Sequence, residues 1–311
     1  MIINCVVVTY NRLDLLKENI DALKKQTHPL HKIFIIDNCS TDKTPDYLSQ
    51  FTNDSQIENI RMPQNVGGAG GFNEGIKRAV LDGCDYVWIM DDDTIPAPDA
   101  LEKLVQALDL SHDIGFLCSK VVWTDNSIHK MNKPGLKKDG KGQFILVEKD
   151  GIKGYVCNNC TFVSVLFSAE SILRIGLPIK EFFIWHDDIE YTERNIHYGF
   201  QGFYIPASCV VHKTNVNYSP KIHEVPPEAV WKFYYQARNT TYLTCVRKKN
   251  KLMAYLSVLN KYRRYLRRIK RISDPAIRRQ LKEIIKKGCK DGLSFHPTIE
   301  YVHPHPSDER K

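Results

Sequence analysis

Three consecutive aspartates, Asp91-Asp92-Asp93, directly follow the apolar run Tyr86-Val87-Trp88-Ile89-Met90. The run has the length and the β-forming composition of a buried strand, which would end at the aspartates. Adjacent carboxylates repel one another, so a cation is expected beside them. Oxygen ligands suit Mg²⁺ or Mn²⁺, which commonly bridge substrate phosphates. We therefore predict a site for a divalent metal and a diphosphate; the alternative is a solvated loop whose aspartates cap the next helix.

The elements around the aspartates alternate between strand and helix patterns. The predicted strands are Ile2–Thr9, Ile33–Asp37, Ile57–Met62 and Tyr86–Met90, and predicted helices over 12–25, 44–51 and 71–81 separate them. This rhythm is typical of a doubly wound parallel sheet, which binds ligands at the carboxyl ends of its strands. Polar segments fall at those ends: Thr9-Tyr10-Asn11-Arg12, Asp37-Asn38, Asn65-Val66-Gly67-Gly68 and the aspartates.

The glycine-rich segment Asn65–Phe72 follows the third predicted strand and lacks the GxGxxG register, which disfavours a dinucleotide-dependent dehydrogenase. Such a turn still presents backbone N–H groups to an anion, unless it merely starts a helix. Asp37 could accept hydrogen bonds from a nucleobase or a ribose, although Asp-Asn also forms turns.

A second acidic pair, Asp187-Asp188, follows the aromatic segment Phe182-Phe183-Ile184-Trp185-His186. Apolar surroundings raise the pKa of a carboxylate and make it a better general base. The alternative is that the pair caps a helix. His212 ends the apolar run Tyr204–Val211 and is either a structural histidine or an imidazole ligand for the same metal.

Composition fits a cytoplasmic globular protein: 311 residues, 42% hydrophobic and 26% charged. No apolar run approaches the ~20 residues of a membrane-spanning helix, and the amino terminus is predicted to be a strand rather than a signal peptide. Nine cysteines are present. Cys157 and Cys160 have CxxC spacing without a second cysteine pair, so a zinc or redox role is left open.

The net charge of +8 is concentrated near the carboxyl end, where residues 247–290 carry 17 bases and two acids. Apolar residues between Leu252 and Ile269 recur with helical spacing among those bases. A basic amphipathic helix of this kind is attracted to an anionic membrane surface. The alternatives are a helix packed on the body and a homo-oligomer contact. No base-reading motif accompanies the charge, so we predict no nucleic-acid partner.

Taken in order, these segments resemble the inverting family 2 glycosyltransferases of the GT-A fold, specifically their galactofuranosyltransferase-like and rhamnosyltransferase-like branch. The resembling segments are Val8–Arg12, Ile36-Asp37-Asn38, Asn65–Phe72, Met90–Asp93, Trp185–Tyr191 and Val211-His212. The resemblance implies an α/β fold with a mainly parallel central sheet flanked by helices, followed by a helical extension. It implies a GT-A domain over 1–225, with a nucleotide-sugar-binding half (1–120) and an acceptor-side half (121–225), and a basic membrane-associating region over 226–311.

The resemblance also implies a role for each matching residue. Asp188 would be the general base, supported by Asp187. The metal ligands would be Asp91, Asp93 and His212, and the acceptor side would hold Trp185, His186 and Glu190. The nucleotide-sugar pocket would be lined by Thr9, Tyr10, Asn11, Arg12, Asp37, Asn38, Asn65, Gly67, Gly68, Asp91 and Asp92.

The function implied is transfer of galactofuranose from UDP-galactofuranose onto a lipid-linked cell-surface glycan, at the cytoplasmic face of the plasma membrane. The enzyme alternative is a rhamnosyltransferase that uses dTDP-rhamnose. Alternatives of another class are a nucleotide-sugar-binding protein without turnover and a nucleotidyltransferase, which would release pyrophosphate instead of a nucleoside diphosphate.

Overall fold

The computed structural model describes residues 1–217, 219, 221–223 and 227–303. Its strands are β1 (Ile3–Thr9), β2 (Lys32–Asp37), β3 (Ile57–Arg61), β4 (Tyr86–Asp91), β5 (Thr94–Pro96), β6 (Ile114–Val122), β7 (Gly135–Leu136), β8 (Leu146–Lys149), β9 (Ile152–Asn159), β10 (Val165–Ser168) and β11 (Gln201–His212). Its helices are α1 (Leu13–Lys24), α2 (Thr44–Leu48), α3 (Gly67–Leu81), α4 (Ala100–Gln106), α5 (Ala169–Ile175), α6 (Asp187–His197), α7 (Lys232–Arg247), α8 (Lys251–Ile269) and α9 (Pro275–Leu293).

The chain divides into two compact units. The first contains Met1–Lys180, Asp188–Asn217 and the described part of the segment Ile299–Lys311. The second contains Glu181–Asp187 and the described part of the segment Tyr218–Thr298. The predicted domain boundary at 225/226 falls within 224–226, outside the described residues.

A mixed sheet with strand order β3-β2-β1-β4-β10-β6-β11-β9-β7 organises the first unit. The strands β3, β2, β1 and β4 run parallel, and β10 pairs antiparallel with both β4 and β6. The carboxyl ends of β1, β2 and β4 consequently meet at one edge of the sheet. The predicted α/β class, with a central sheet flanked by helices and a carboxyl-terminal helical region, is confirmed; the sheet is mixed, because its later strands pair mostly antiparallel.

Both faces of this sheet are covered, which explains why its strands have continuous apolar sequences. All seven residues of β1 are buried. Alternate residues enter two different clusters: Cys5 and Val7 pack on one face, and Val6 and Val8 on the other. A register error of one residue would exchange the two faces, so packing on both sides fixes where each strand ends and where its polar residues emerge.

The second half of the sheet was less visible in the sequence. The strand β6 is missing from the predicted pattern. The segment 125–153, whose richness in Gly, Lys and Asn predicts an exposed loop or an irregular hairpin, contains β7 and β8. The strand β8 pairs with β9 as an antiparallel hairpin, with Lys149 opposite Ile152. Its residues are mostly exposed, so they lack the apolar alternation from which a strand is predicted.

The second unit is a helical bundle of α7, α8 and α9. Its core is formed by Ile222, Val230, Phe233, Ala237, Ile269, Leu281, Ile285 and Cys289. The Asn250 side chain caps α8 by accepting from Met253 N at 3.1 Å, and Asp274 caps α9 by accepting from Ala276 N at 2.7 Å. No helix within the described part of the chain combines the length and hydropathy needed to cross a bilayer.

Candidate active site at the carboxyl edge of the sheet

The aspartate triplet lies where β4 ends, and Val8 of β1 pairs with Asp91. Asp92 is almost fully buried and accepts hydrogen bonds from Thr9 Oγ1 at 2.8 Å and Tyr10 N at 3.4 Å. The Arg12 guanidinium lies 3.3 Å from Asp92 Oδ1 and 2.5 Å from Asp93 Oδ2. One guanidinium thus faces three carboxylates, and the edge keeps an excess of negative charge.

The pKa values of the two buried aspartates are shifted in opposite directions. Burial raises the pKa of Asp92 to about 6, against the opposing charge of Arg12. Burial also pushes the pKa of Asp93 upward, but the hydrogen bond and charge of His212, together with Arg12, hold it below its ordinary value. Asp93 therefore stays ionised and offers a full negative charge at neutral pH.

The three side chains predicted to bind metal lie together. One ligand atom each from Asp91, Asp93 and His212 fall within 4.8 Å of one another. Strand pairing explains this: β5 follows the triplet and runs antiparallel to the end of β11, with Thr94 opposite His212. The His212 imidazole therefore lies beside the carboxylate of Asp93, which is 119 residues earlier in the chain.

The donor set fits a divalent cation. His212 Nδ1 lies 2.8 Å from Asn132 Oδ1, and Asn132 Nδ2 donates to Thr161 Oγ1 at 2.8 Å, so the asparagine oxygen must accept from Nδ1–H. In the neutral ring, Nε2 then carries a lone pair, which is the usual arrangement for a metal-binding histidine. That atom lies 3.1 Å from Asp93 Oδ1, a buried oxygen without a hydrogen bond of good geometry. A proton on His212 Nε2 supplies the hydrogen bond and charge that lower the pKa of Asp93, and a divalent cation between the same two atoms would take the place of that proton.

Asp37 is fully buried at the end of β2, and both of its oxygens are engaged within the protein. Its Oδ1 accepts from Ser40 N at 2.8 Å, and its Oδ2 lies 2.8 Å from Arg61 Nη1. Both carboxylate oxygens thus have partners within the protein, and the side chain is only 1% exposed. The half-exposed Arg61 guanidinium adds a positive charge to this site, and the sequence analysis did not predict it.

Asn38 connects the end of β2 to the glycine-rich segment. Its Nδ2 donates to Asn65 Oδ1 at 3.1 Å and Gly67 O at 3.0 Å, and its Oδ1 accepts from Val66 N at 2.9 Å. Gly67 has a φ of +74°, a conformation that favours glycine. A Cβ on Gly68 would meet no heavy atom within 4 Å, so this position faces open space. Asn38 thereby sets the geometry of the loop.

Asn11 organises the loop after β1. Its backbone has a φ of 54°, and its Oδ1 accepts from Thr41 N at 2.7 Å and Asp42 N at 3.3 Å. Tyr10, beside it, is 42% exposed. The polar residues at the ends of β1, β2 and β4 are thus held together by their own hydrogen bonds, as their positions in the sequence predict.

The second acidic pair begins α6, which is the position that the helix-capping alternative requires. Asp188 Oδ1 accepts from Ile189 N at 2.7 Å. Asp188 belongs to the first unit, whereas Asp187, Trp185 and His186 belong to the second. Within the second unit, the Trp185 ring packs edge-on against Phe233 at 5.3 Å, and His186 Nε2 lies 2.9 Å from Thr240 Oγ1.

The orientation of α6 follows from the sheet. Its carboxyl end leads into β11, whose first residue pairs with Ile114 at the start of β6. Near its amino end, the Tyr191 ring packs against Phe162, which packs against Phe72 in the amino-terminal half of α3. Since β6 runs parallel to β4, these contacts put the amino end of α6 at the edge where β4 ends. Asp188 and the aspartate triplet therefore occupy the same edge of the sheet.

Glu190 is engaged by a buried cation. The Arg194 side chain, 6% exposed, donates to Glu190 Oε1 at 2.9 Å and Oε2 at 2.8 Å, and to the carbonyl oxygens of Ile175 and Leu177. In the sequence, only the i,i+4 spacing of Glu190 and Arg194 on a predicted helix could have indicated this ion pair. This geometry favours a supporting role, whereas the acceptor-side role of Glu190 stays a prediction.

Replacing Glu190 with Ala is expected to lower the free energy of unfolding by about 3 kcal/mol, because it leaves a buried guanidinium without its counter-charge. Denaturant-induced unfolding measures this. Glu190→Gln is the matched control, since it keeps one acceptor oxygen and should cost less. Equal stability of both variants and the unmodified protein would show that Arg194 does not depend on this carboxylate.

Cys157 and Cys160 are buried together with Cys118 of β6. Hydrogen bonds from Cys118 and Cys160 lower the pKa of the Cys157 thiol to about 5. The cysteines of the described residues form no disulfide. The third thiol is contributed by β6, so sequence spacing alone could not reveal the cluster.

Comparison with known proteins identifies the family of the chain. A family model described as glycosyl transferase family 2 matches residues 5–168, more than half of the chain. The chain belongs to glycosyl transferase family 2. This glycosyltransferase is 24% identical over 252 residues to galactofuranosyltransferase GlfT1 of Mycolicibacterium smegmatis, an alignment that covers 78% of this chain and 82% of the relative. GlfT1 of Mycobacterium tuberculosis is 25% identical over 267 residues, covering 80% and 84% of the two chains.

Solved structures confirm the GT-A fold of this glycosyltransferase. The mannosyltransferase PcManGT from Pyrobaculum calidifontis, in complex with GDP-Man and Mn²⁺, superposes with a TM-score of 0.55 at 15% identity and covers 94% of this chain and 86% of its own. GalNAc-T7 with UDP, GalNAc and Mn²⁺ has a TM-score of 0.56 at 14% identity, covering 79% and 50%. The Asp91-Asp92-Asp93 segment provides the DxD-like motif of this family 2 enzyme.

Proposed function

We propose that this glycosyltransferase is a metal-dependent, inverting enzyme that transfers galactofuranose from UDP-galactofuranose onto a lipid-linked cell-surface glycan. The observation that carries this proposal is the shared sheet edge, which brings Asp91, Asp93 and His212 together and directs the start of α6 to the same side. The relation to two galactofuranosyltransferases over most of the chain supports the choice of sugar.

Asp91, Asp93 and His212 would hold Mn²⁺ or Mg²⁺. Such an ion neutralises the negative charge that develops on a departing diphosphate. Thr9, Tyr10, Asn11, Arg12, Asp37, Asn38, Asn65, Gly67, Gly68 and Asp92 form the donor pocket in this proposal. Asp37 would accept from the nucleobase or ribose, and the N–H groups at the start of α3 would face an anion.

Asp188 is the proposed general base. It removes the proton from an acceptor hydroxyl while that oxygen attacks the anomeric carbon from the face opposite the diphosphate, so the configuration inverts. Asp187 supports it electrostatically, and Trp185, His186 and Glu190 belong to the acceptor side. We assign the catalytic domain to 1–225 and the helical, membrane-associating region to 226–311, on the cytoplasmic face of the plasma membrane.

A panel of nucleotide sugars tests the donor. UDP-galactofuranose, UDP-galactopyranose, dTDP-rhamnose and GDP-mannose would each be added with and without Mn²⁺, and the shift of the unfolding temperature recorded. We expect the largest stabilisation from UDP-galactofuranose with metal, at least 2 kcal/mol at about a hundred times Kd. A larger effect from dTDP-rhamnose would instead establish the rhamnosyltransferase alternative.

Release of nucleoside diphosphate distinguishes turnover from binding. Slow donor hydrolysis that yields UDP is expected even without acceptor. A stable complex without UDP release would favour a binding protein, and pyrophosphate as product would favour a nucleotidyltransferase.

A further inference from the structure

A cavity of about 220 Å³ lies in the second unit, between the end of α7 and the middle of α8. It is lined by Thr244, Arg247, Lys248, Ser257, Asn260, Lys261 and Arg264. Four of these side chains carry a positive charge, and the other three offer hydroxyl or amide groups. At about 30 Å³ per water in the liquid, the cavity has room for several non-hydrogen atoms of a ligand.

The positive charges in the cavity act on one another. No ion pair within the described ranges involves Lys248, Lys261 or Arg264. Lys261 donates to Thr244 Oγ1 at 2.6 Å. Burial, then the charges of Arg247 and Arg264, lower the pKa of Lys261. An anion between these side chains would relieve the repulsion and gain charge-assisted hydrogen bonds.

The charges of Lys261 and Arg247 also act on His186, in the segment that precedes the proposed base. Burial, then Lys261 and Arg247, lower the pKa of His186 to about 4, so this imidazole is neutral at physiological pH. His186 precedes Asp188 by two residues in the chain. His186 Nε2 lies 2.9 Å from Thr240 Oγ1, and the cavity residue Thr244 donates from its Oγ1 to Thr240 O at 2.7 Å. The cavity therefore neighbours a segment that we assign to the acceptor side.

Exposed apolar side chains adjoin the cavity in sequence. Val246 is 63% exposed and directly precedes Arg247, and Leu252, Met253, Tyr255 and Leu256 at the start of α8 are between 49% and 66% exposed. Met253 lies one helical turn before the cavity residue Ser257, and Leu256 one turn before Asn260, so apolar and polar residues follow each other on one face of α8. A cationic cavity next to apolar side chains matches an amphiphile with an anionic head.

We propose that this cavity binds the phosphate ester of an anionic lipid at the bilayer surface, with the adjoining apolar side chains inserted among the acyl chains. This proposal rests on the proposed function in one respect, namely that the acceptor is lipid-linked. Lysine and arginine recognise phosphate by charge and by multiple N–H donors. The exposed apolar residues favour a lipid over a free phosphate, since burying them gives additional binding free energy that an inorganic ion cannot provide.

Calorimetric titration with soluble dihexanoyl phosphatidic acid tests the site without the field of a charged membrane, and inorganic phosphate provides the non-lipid comparison. The cavity variant is Lys248→Gln/Arg264→Gln. Its matched control, Lys249→Gln/Arg263→Gln, changes the adjacent residues, loses the same charge, and leaves the cavity lining intact. All four side chains are exposed, so both variants should fold. UDP binding with Mn²⁺ is measured on every protein.

We expect the unmodified protein to bind the lipid at least tenfold more tightly than inorganic phosphate. The cavity variant should lose at least tenfold in lipid affinity, and the control less than threefold. Equal losses in both variants, equal affinity for inorganic phosphate, or no lipid binding would each overturn the proposal. Lipid binding can fail while UDP binding persists, which refutes this site alone; absence of UDP binding refutes the proposed function instead.

Discussion

Replacing Asp188 with Asn is expected to reduce sugar transfer by about a thousandfold while leaving nucleotide affinity unchanged. General bases typically contribute 10²–10⁴ to the rate, and an amide cannot accept the proton. Because Asp188 Oδ1 accepts from Ile189 N at the start of α6, a helix-capping role is the competing explanation. Asparagine caps helices about as well as aspartate does, so the substitution removes the base and keeps the cap.

Three measurements separate these roles: the rate of UDP release with acceptor, the dissociation constant of UDP with Mn²⁺, and the unfolding temperature. Glu193→Gln on the same helix is the matched carboxylate-to-amide control and should retain activity within a few fold. Full activity of Asp188→Asn would identify Asp188 as a cap. A loss of UDP affinity that parallels the loss of rate would move Asp188 to the donor side.

The parallel half of the fold was predictable because β1, β2 and β4 are buried on both faces, which gives continuous apolar runs with abrupt polar ends. Those ends also indicated where a site would form. The strand β8 was not predictable in the same way, because three of its four residues are exposed and its composition therefore carries little apolar alternation. The local sequence pattern therefore predicts a strand only when burial of that strand requires apolar residues.

The site residues that the sequence did not reveal depend on long-range contacts. Asn132 holds the His212 ring from 80 residues away, and Arg61 reaches Asp37 from a neighbouring strand. An asparagine in a polar segment and an arginine at a strand end have many ordinary explanations. Their partners are known only once the sheet order is known. Asp91, Asp93 and His212 could be grouped because each lies within two residues of the end of a strand.

Replacing Asp93 with Asn is expected to weaken Mn²⁺ binding by at least a hundredfold and to lower transfer by about as much. Asp93 combines a full negative charge with an oxygen 3.1 Å from His212 Nε2, and the amide keeps the shape while it removes the charge. Asp99→Asn, six residues along the chain, is the control for a general change in charge. Paramagnetic resonance of free Mn²⁺ measures the affinity without donor or acceptor.

The resonance measurement separates metal binding from a purely structural ion pair. If Asp93 served only to balance Arg12 and His212, Asp93→Asn would lower the unfolding temperature, and Mn²⁺ affinity would match that of Asp99→Asn. If Asp93 binds the ion, the unmodified protein gains stability when Mn²⁺ is added, and the variant does not, because a ligand stabilises only the state that binds it. The two explanations therefore predict different responses of the Asp93→Asn variant to added metal, whatever the donor sugar proves to be.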